Sequence, residues 1–458
     1  MRSGSGAGFR VRYDAAIIGA GADGLAAAIL LARANLDVIV VERGPESGGR
    51  CVTRQFAPGF FASPFADDMP RMPPELVQSL GVTAHGAVLV DKAADGRVLF
   101  RREAVLARVR REAQTPAPQT VWKKLQAHMT PEEGEGSIWP GSDWVDRSIG
   151  ELGIEAGPVL AGRALDPDLA GSGIALLTTA RSQVVSGGLG ALGRALAESA
   201  RAAGAEFLFQ AEANEIRLHR RKAQALLLAD GSEIETEIIL STLDFKRTFL
   251  SLFPWNALPA PLLAAAGAWR PSGARARLLL ALRVPAPLDG PIYLPADGDA
   301  LASFRRGSVP ERPPLLADPV SRRDPSLAPD GASVITVTLG AIPHSLFDGG
   351  WTSDRRQMLA ARTLARLEAV VPGLVNNLAG LKIFVPPDME EVLGATGGDL
   401  DGGQLAPDQM LGFRPGPRSV VAGVYLAGSS CQAAPHGACA GGAAAAAAIL
   451  ADRSNAAA

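Results

Sequence analysis

Three glycines, Gly19, Gly21 and Gly24, stand where one apolar run, Ala15 to Ile18, gives way to another that begins at Leu25. An apolar strand that turns at once into an apolar helix builds a βα unit, and the glycine spacing says what the turn is for. Gly19 permits a tight turn and Gly21 omits the Cβ that would block a phosphate. Gly24 lets the helix press on the strand while the free N–H groups of its first turn face an anion. A second apolar run, Val38 to Val41, ends in Glu42, about 20 residues beyond the glycines, where a carboxylate can accept the hydroxyls of a ribose. An ordinary glycine-rich turn would explain the glycines alone. It would not explain strand, helix, second strand and terminal acid in register, so the expected guest is a nucleotide pyrophosphate.

With 458 residues the chain can bury a large core, and its length suggests two or three domains. A net charge of -2 argues against a nucleic-acid partner. The basic clusters Arg101-Arg102, Arg108 to Arg111 and Arg220-Arg221 read as solvated faces, and few aromatics are present to stack on bases. Cys51, Cys431 and Cys439 show no CxxC spacing, so reduced thiols in a cytoplasmic protein fit better than a disulfide framework or a metal site. Arg10 and Arg12 before an apolar stretch imitate a signal peptide, but Asp14, Asp23 and the glycine turn mark a folded unit instead. No uncharged run approaches the ~18 apolar residues of a membrane span, which leaves peripheral contact with a membrane open.

Strand and helix do not alternate regularly past the first unit, so the nucleotide domain is expected to be discontinuous. We read residues 1–110 as its first part, 111–180 as a substrate-side or helical insertion, 181–250 as its second part, 251–403 as a substrate domain and 404–458 as its third part. The insertion, with Trp122, Trp139 and Trp144, shows no clear period. After Gly187-Gly188, the spacing of Leu189, Leu192 and Leu196 predicts an amphipathic helix to about Ala203, followed by a strand over Glu206 to Phe209. Ala225 to Leu228 and Ile238 to Leu240 flank the turn Asp230-Gly231 and read as a small hairpin. In the substrate domain, Arg277 to Leu282 and Val334 to Leu339 read as strands. Ala360, Leu364, Leu367 and Val371 share one helical face, with Thr352 or Ser353 as cap. The chain closes with a strand from Val424 to Ala427, then Gly428-Ser429, and a glycine-alanine run from Gly441 to Ala448. That run suits a close-packed helix ending near the nucleotide, although helix propensity alone would also favour it. The fold class is α/β: a discontinuous Rossmann-like dinucleotide domain with an inserted α+β substrate domain.

NAD and FAD share the first fingerprint, but the residues beyond Glu42 separate them. Glu42-Arg43-Gly44-Pro45-Glu46-Ser47-Gly48-Gly49-Arg50 adds a glycine pair and an arginine just past the carboxylate. Here the sequence resembles the flavin-containing amine-oxidoreductase superfamily, and within it the phytoene-desaturase-like branch. The resemblance extends through Gly187-Gly188-Leu189, Gly204-Ala205-Glu206, Asp230-Gly231, Thr242-Leu243-Asp244, Asp324 to Gly331, Pro386 to Glu390, Gly402 to Leu405 and Gly423 to Gly428, and so spans most of the chain. It implies an FAD-binding domain in which Gly19, Gly21, Gly24 and Glu42 hold the adenosine side. Arg43, Gly49 and Arg50 would approach the phosphates or the flavin edge, the Ala213 backbone the adenine, and Gly428 and Ser429 the ribityl or pyrophosphate region. An ion pair is the competing reading for Arg50, and for Arg43.

Where the family usually shows a His-Pro-Gly-Gly-Gly type run beside the flavin ring, this chain has Cys431-Gln432-Ala433-Ala434-Pro435-His436-Gly437-Ala438-Cys439. His436 is the candidate acid or base there, since its ordinary pKa lies near neutrality; a hydrogen-bonded loop histidine is the plainer reading. Cys431 and Cys439 suit small apolar packing better than redox work. Arg277 stands where relatives often carry lysine. It is the second catalytic candidate, open between a substrate carboxylate and a salt bridge, because arginine does not readily lose its proton. Only three tyrosines are present, which speaks against an aromatic cage. The resemblance implies an FAD-dependent oxidoreductase that removes hydride from a small-molecule C–H bond, forming C=C or C=N, with oxygen or a quinone reoxidising the flavin. Amine oxidation, or a flavin-bound scaffold without turnover, are the alternatives.

Overall fold

The computed structural model describes residues 10–91, 97–98, 182–254, 256–271, 275–294, 296, 300–403, 414–431 and 438–457. The insertion expected over 111–180 therefore lies outside the described residues, as does His436. The chain runs through β1 (Ala15–Ile18), α1 (Ala22–Arg33), β2 (Val38–Glu42), α2 (Leu189–Ala202), β3 (Glu206–Phe209), β4 (Ala213–His219), β5 (Lys222–Leu228), β6 (Glu233–Glu235) and β7 (Ile239–Ser241). It continues with β8 (Ala276–Leu282), β9 (Ile292–Leu294), β10 (Leu315–Asp318), β11 (Ser333–Leu339), α3 (Ser353–Glu368), β12 (Leu378–Phe384), α4 (Pro386–Leu393), β13 (Val424–Leu426) and α5 (Ala440–Ala457).

Five parallel strands in the order β3-β2-β1-β7-β13 form the central sheet. The register sets Ile18 beside Val41 on one side and Ser241 on the other, so the strands end level. Apart from Glu42, every residue of β1, β2, β7 and β13 is buried, which explains why they read as unbroken apolar runs: both faces of the sheet are covered. Successive side chains divide between the faces. Ala15, Ile17, Val38, Val40 and Leu240 meet α1, α2 and α5, while Ala16, Ile18, Ile39, Val41 and Ile239 meet Ile216, Leu226 and Ile234 of a smaller sheet.

That smaller sheet, ordered Arg10–Arg12, β6, β5, β4, corrects the expected hairpin. The turn at Asp230-Gly231 returns into β6, whose Glu235 and Ile234 face Ala225 and Leu226, and Ile239 to Ser241 belong to the parallel sheet instead. The Glu-Ile-Glu run of β6 has only one apolar residue and so gives almost no sequence signal, whereas the apolar run of β7 has the composition of a fully buried strand.

A second large sheet has the order β12-β8-β11-β10-β9 with Arg97–Val98 at its edge. All seven residues of β8 are buried. Its Leu278, Leu280 and Leu282 pack with Leu359, Ala360 and Leu367 of α3, and Thr352 caps that helix by accepting from the Arg355 N–H. Among the described residues no helix is long and apolar enough to cross a membrane.

The alanine-rich α5 is a packing helix. Ala445, Ala446, Ala448 and Ile449 are buried where α5 lies along α1, and a Cβ placed on Gly442 would sit 1.9 Å from the Asp23 carbonyl oxygen. We expect Gly442→Ala to force the two helices apart and cost about 1–3 kcal/mol, lowering the thermal unfolding midpoint. Gly267→Ala, inside a helix with nothing within 4 Å of the new methyl, should leave the midpoint unchanged or raised.

Candidate cofactor site

The glycine turn sits at the C-terminal ends of the parallel strands. Gly19 has φ +100°, its N–H donates to the Val41 carbonyl at 2.8 Å, and a Cβ there would lie 2.2 Å from Thr242 Oγ1. A Cβ on Gly24 would lie 2.1 Å from the Gly19 carbonyl oxygen. The fold itself thus requires both to be glycine. Gly21 differs. It is the N-cap of α1 with φ -74°, and nothing stands within 4 Å of where its Cβ would be. The protein's own packing gives no reason for glycine there, and the space in front of it is open.

The rest of the cradle closes around that space. Glu42 stands at the end of β2, its Oε2 accepting from the Ala20 N–H at 2.8 Å and its Oε1 from the Gly44 N–H at 2.7 Å. Each oxygen keeps a lone pair for a hydroxyl donor. The second glycine pair lies directly on the first turn: Gly48 donates to the Ala20 carbonyl at 2.8 Å, and a Cβ on Gly49, at φ +57°, would be 3.0 Å from the Gly21 Cα. Beside Glu42, Gln210 donates to the Gly44 carbonyl and Ala211 to the Glu42 carbonyl, both at 3.0 Å, which brings the start of β4 at Ala213 to the same end of the sheet. From the far end of the chain, Gly428 enters with φ +91°, a Cβ there lying 2.8 Å from the Thr242 carbonyl oxygen. Gly21, Asp23, Glu42, Gly49, Cys51 and Ser429 all keep partial exposure among buried strand ends, so they line a cleft.

Two residues in this region had no place among the sequence candidates. Asp23, in the first turn of α1, accepts from the Gly442 N–H at 3.0 Å. Desolvation deep in the fold pushes its carboxyl up, opposed by N–H groups of Gly442, Gly441 and Gly428 and by the Arg50 charge. An acid inside an apolar helix start was the signal that could have found it. Arg414, buried, donates to the carbonyls of Asp401 at 3.2 Å and Gly403 at 3.2 Å, and to that of Ser429. It clamps the Gly402-Gly403 turn against the Gly428-Ser429 segment. Two motifs far apart in sequence also meet: Gly187 and Gly188 donate to Asp324 Oδ2 at 2.7 and 2.9 Å, tying the start of α2 to the segment between β10 and β11.

The arginine candidates are engaged with protein. Arg43 donates to the carbonyls of Glu390 and Glu391 in the last turn of α4, where a guanidinium complements the negative end of the helix dipole. The exposed Arg50 donates to the Leu400 carbonyl. Arg277, the second catalytic candidate, is held in a buried network: an ion pair with Asp67, a bond to the Ser63 carbonyl at 3.2 Å and another to Thr338 Oγ1 at 3.1 Å. Thr336 Oγ1 donates to the other Asp67 oxygen at 2.7 Å. Of its two readings the structure shows the salt bridge, because its carboxylate partner is supplied from within the chain. The thiols are poor nucleophiles: burial raises Cys51 to about 11 and raises Cys431 and Cys439 further above the ordinary thiol value. Among the described residues no cluster of side chains could hold a metal ion.

Comparison with known proteins gives this cleft its family. Residues 17–65 match the model of an NAD(P)-binding Rossmann-like domain, and residues 155–450 match that of the flavin containing amine oxidoreductases. The chain belongs to the flavin containing amine oxidoreductase family. A curated relative, pyridine nucleotide-disulfide oxidoreductase domain-containing protein 2 of Mus musculus, is 26% identical over 533 residues, covering 93% of this chain and 92% of the relative. Among solved structures, an oxidoreductase from Methanosarcina mazei aligns with TM-score 0.60 at 16% identity, over 96% of this chain and 100% of its own. Cyclohexylamine oxidase from Brevibacterium oxydans IH-35A aligns with TM-score 0.61 at 15% identity, over 96% of this chain and 99% of its own. These alignments share the fold: a Rossmann-like parallel sheet in a mixed α/β chain.

This amine oxidoreductase family member is thus an oxidoreductase of the flavin class, and its residues fit the cofactor the family implies. Gly21 leaves room for the phosphates, the first turn of α1 offers N–H groups, and Glu42 offers acceptors at the ribose end. We expect Gly21→Val to fold with an unchanged unfolding midpoint in the flavin-free protein, yet to weaken flavin binding at least about tenfold, or ~1.4 kcal/mol, by fluorescence titration. Arg277→Leu should behave oppositely. It leaves Asp67 buried without its counter-charge, at a cost of about 3–5 kcal/mol, read as a lowered midpoint in denaturant unfolding.

Proposed function

We propose that this protein is an FAD-dependent oxidoreductase that removes hydride from a C–H bond of a small-molecule substrate, leaving a C=C or C=N bond. The observation that carries the reading is the cradle in front of Gly21, closed by Glu42 at one end and by Gly428-Ser429 at the other. A dinucleotide needs both ends, since the ribose acceptor serves the adenosine half and the distant glycine segment the flavin half. Bound FAD supplies the hydride acceptor. What the chain supplies is binding, orientation and exclusion of competing reactions, and a hydride leaving carbon directly asks little more of side chains. The engagement of Arg277 supports this economy: a guanidinium bonded to Asp67 has only N–H donors to offer, so β8 offers no proton acceptor at that position.

The family description favours the C=N branch, amine oxidation; the long motif agreement with phytoene-desaturase-like proteins favours C=C. Oxygen or a quinone is the proposed electron acceptor. The first test is the absorption spectrum of the purified protein and the mass of what it releases on denaturation. A yellow chromophore releasing FAD is expected, and a protein that takes up no FAD even on reconstitution overturns the reading. Anaerobic titration with candidate substrates should then bleach the oxidised flavin band. Peroxide release with primary or secondary amines in air selects amine oxidation, and bleaching by unsaturable hydrocarbons without it selects desaturation. Flavin that stays oxidised across both panels would support a scaffold role instead.

A further inference from the structure

Asp23 is the acid that the proposed chemistry does not use. Its carboxyl is where the two ends of the chain meet. Oδ1 accepts from the Gly442 N–H at 3.0 Å, and the Cβ positions of Gly441 and Gly442 fall 3.1 Å from Oδ1 and 1.9 Å from the Asp23 carbonyl oxygen. The Gly441 position is also 3.1 Å from the Gly428 nitrogen. A side chain at Gly442 would meet main chain and break this joint, whereas one at Gly441 would require its neighbours to give by a few tenths of an ångström. Asp23 also keeps partial exposure, in the same turn as Gly21 and its open space. One side of the carboxyl therefore holds the final segment, while the residue as a whole borders the cleft.

Resting on the FAD reading, we propose that Asp23 is a positioning residue that joins the first and last segments of the split cofactor site, and that FAD binding draws one proton from solvent onto its carboxyl group. The reason is electrostatic. A diphosphate brought close to a carboxylate in a poorly solvated place disfavours the ionised form, and a protonated carboxyl still presents the acceptor oxygen that Gly442 needs. No redox step is involved: water or buffer gives the proton, and the new O–H bond is on Asp23.

Among the described residues the charged and titratable groups around Asp23 are few. Arg50 opposes its protonation. Cys51, Cys431 and Cys439 feel its charge, but burial raises all three thiols far above neutrality, so they stay neutral throughout. Glu42 turns to Ala20 and Gly44 instead. The sign comes from linkage: the carboxyl of the flavin-free protein is already raised above the ordinary carboxylate range, and bound FAD raises it further. FAD affinity is then full at low pH. It weakens by up to tenfold per pH unit once pH passes the flavin-free value, and levels off above the FAD-bound value.

The test is calorimetric titration of the full-length, flavin-stripped protein with FAD across this pH range, in pairs of buffers that differ in ionisation heat. Wild type should take up a proton on binding and show the sloping affinity. Asp23→Asn, which keeps the acceptor but cannot titrate, should bind FAD without that uptake and without that slope. Asp23→Leu, with no acceptor, should bind at least tenfold more weakly at every pH. An Asn variant with the wild-type proton uptake, or one as weak as the Leu variant, overturns the proposal. The Asn comparison decides even if the Leu variant does not fold, and His436, present in every protein compared, cancels from it. Wild-type protein that takes no FAD at all fails the FAD reading itself, a result distinct from failure of the Asp23 proposal.

Discussion

The meeting of the two ends of the chain rests on one close backbone contact, the approach of Gly441-Gly442 to Asp23. A Cβ 1.9 Å from a carbonyl oxygen cannot be absorbed by a side-chain rotation, because the neighbour is main chain. The contact therefore sets the spacing of α1 and α5, and through it the position of β13 at the edge of the parallel sheet. Gly428, which comes after β13, reaches Thr242 and the glycine turn only because that spacing is met. Small residues buried along α5 extend the same condition down the helix. Its alanines are therefore a requirement of shape as well as of helix propensity.

The buried ion pair between Arg277 and Asp67 has a different task. Arg277 lies in β8 of the second large sheet, while Ser63 and Asp67 belong to the segment that leaves the first βαβ unit. Their bonds join the two modules, as do those from Gly187 and Gly188 to Asp324. A pair of this kind adds little net stability over a well-packed apolar contact, but it discriminates strongly against misalignment, since displaced charges would be left unpaired. The two sheets are thereby held in one relation to each other.

Much of this architecture is written in local chemistry. The glycine turn, Glu42, α2, α3 with its Thr352 cap and the glycine-alanine helix each rest on patterns confined to a few neighbouring residues, and such patterns survive translation into structure. What was not legible shares a cause as well. β6 has one apolar residue between two glutamates and becomes a strand only by pairing with β5. Arg43 carries the same charge whether it meets a phosphate or the end of α4, and its fate depends on Glu390 and Glu391, some 350 residues away. Arg277 needed Asp67, and Asp23 needed Gly442. A partner distant in sequence leaves no mark near the residue it claims. For that reason the cradle could be read from one stretch of chain while the occupation of the charged groups around it could not.

The arrangement of the parallel sheet also orders events in time. Its strands β1, β2, β3 and β7 are complete once Ser241 has been made, but the edge beside β7 is filled by Val424 to Leu426, and α1 is covered on that side by a helix that starts at Ala440. A nascent chain emerging from the ribosome must therefore carry an open, apolar sheet edge through the synthesis of the whole second sheet. Such long-range closure is slow and exposes surface to aggregation. The parallel sheet cannot be completed before the second large sheet has been made. A chain cut short near its end would retain nearly all of its sequence and yet lack the strand and helix that finish its first fold.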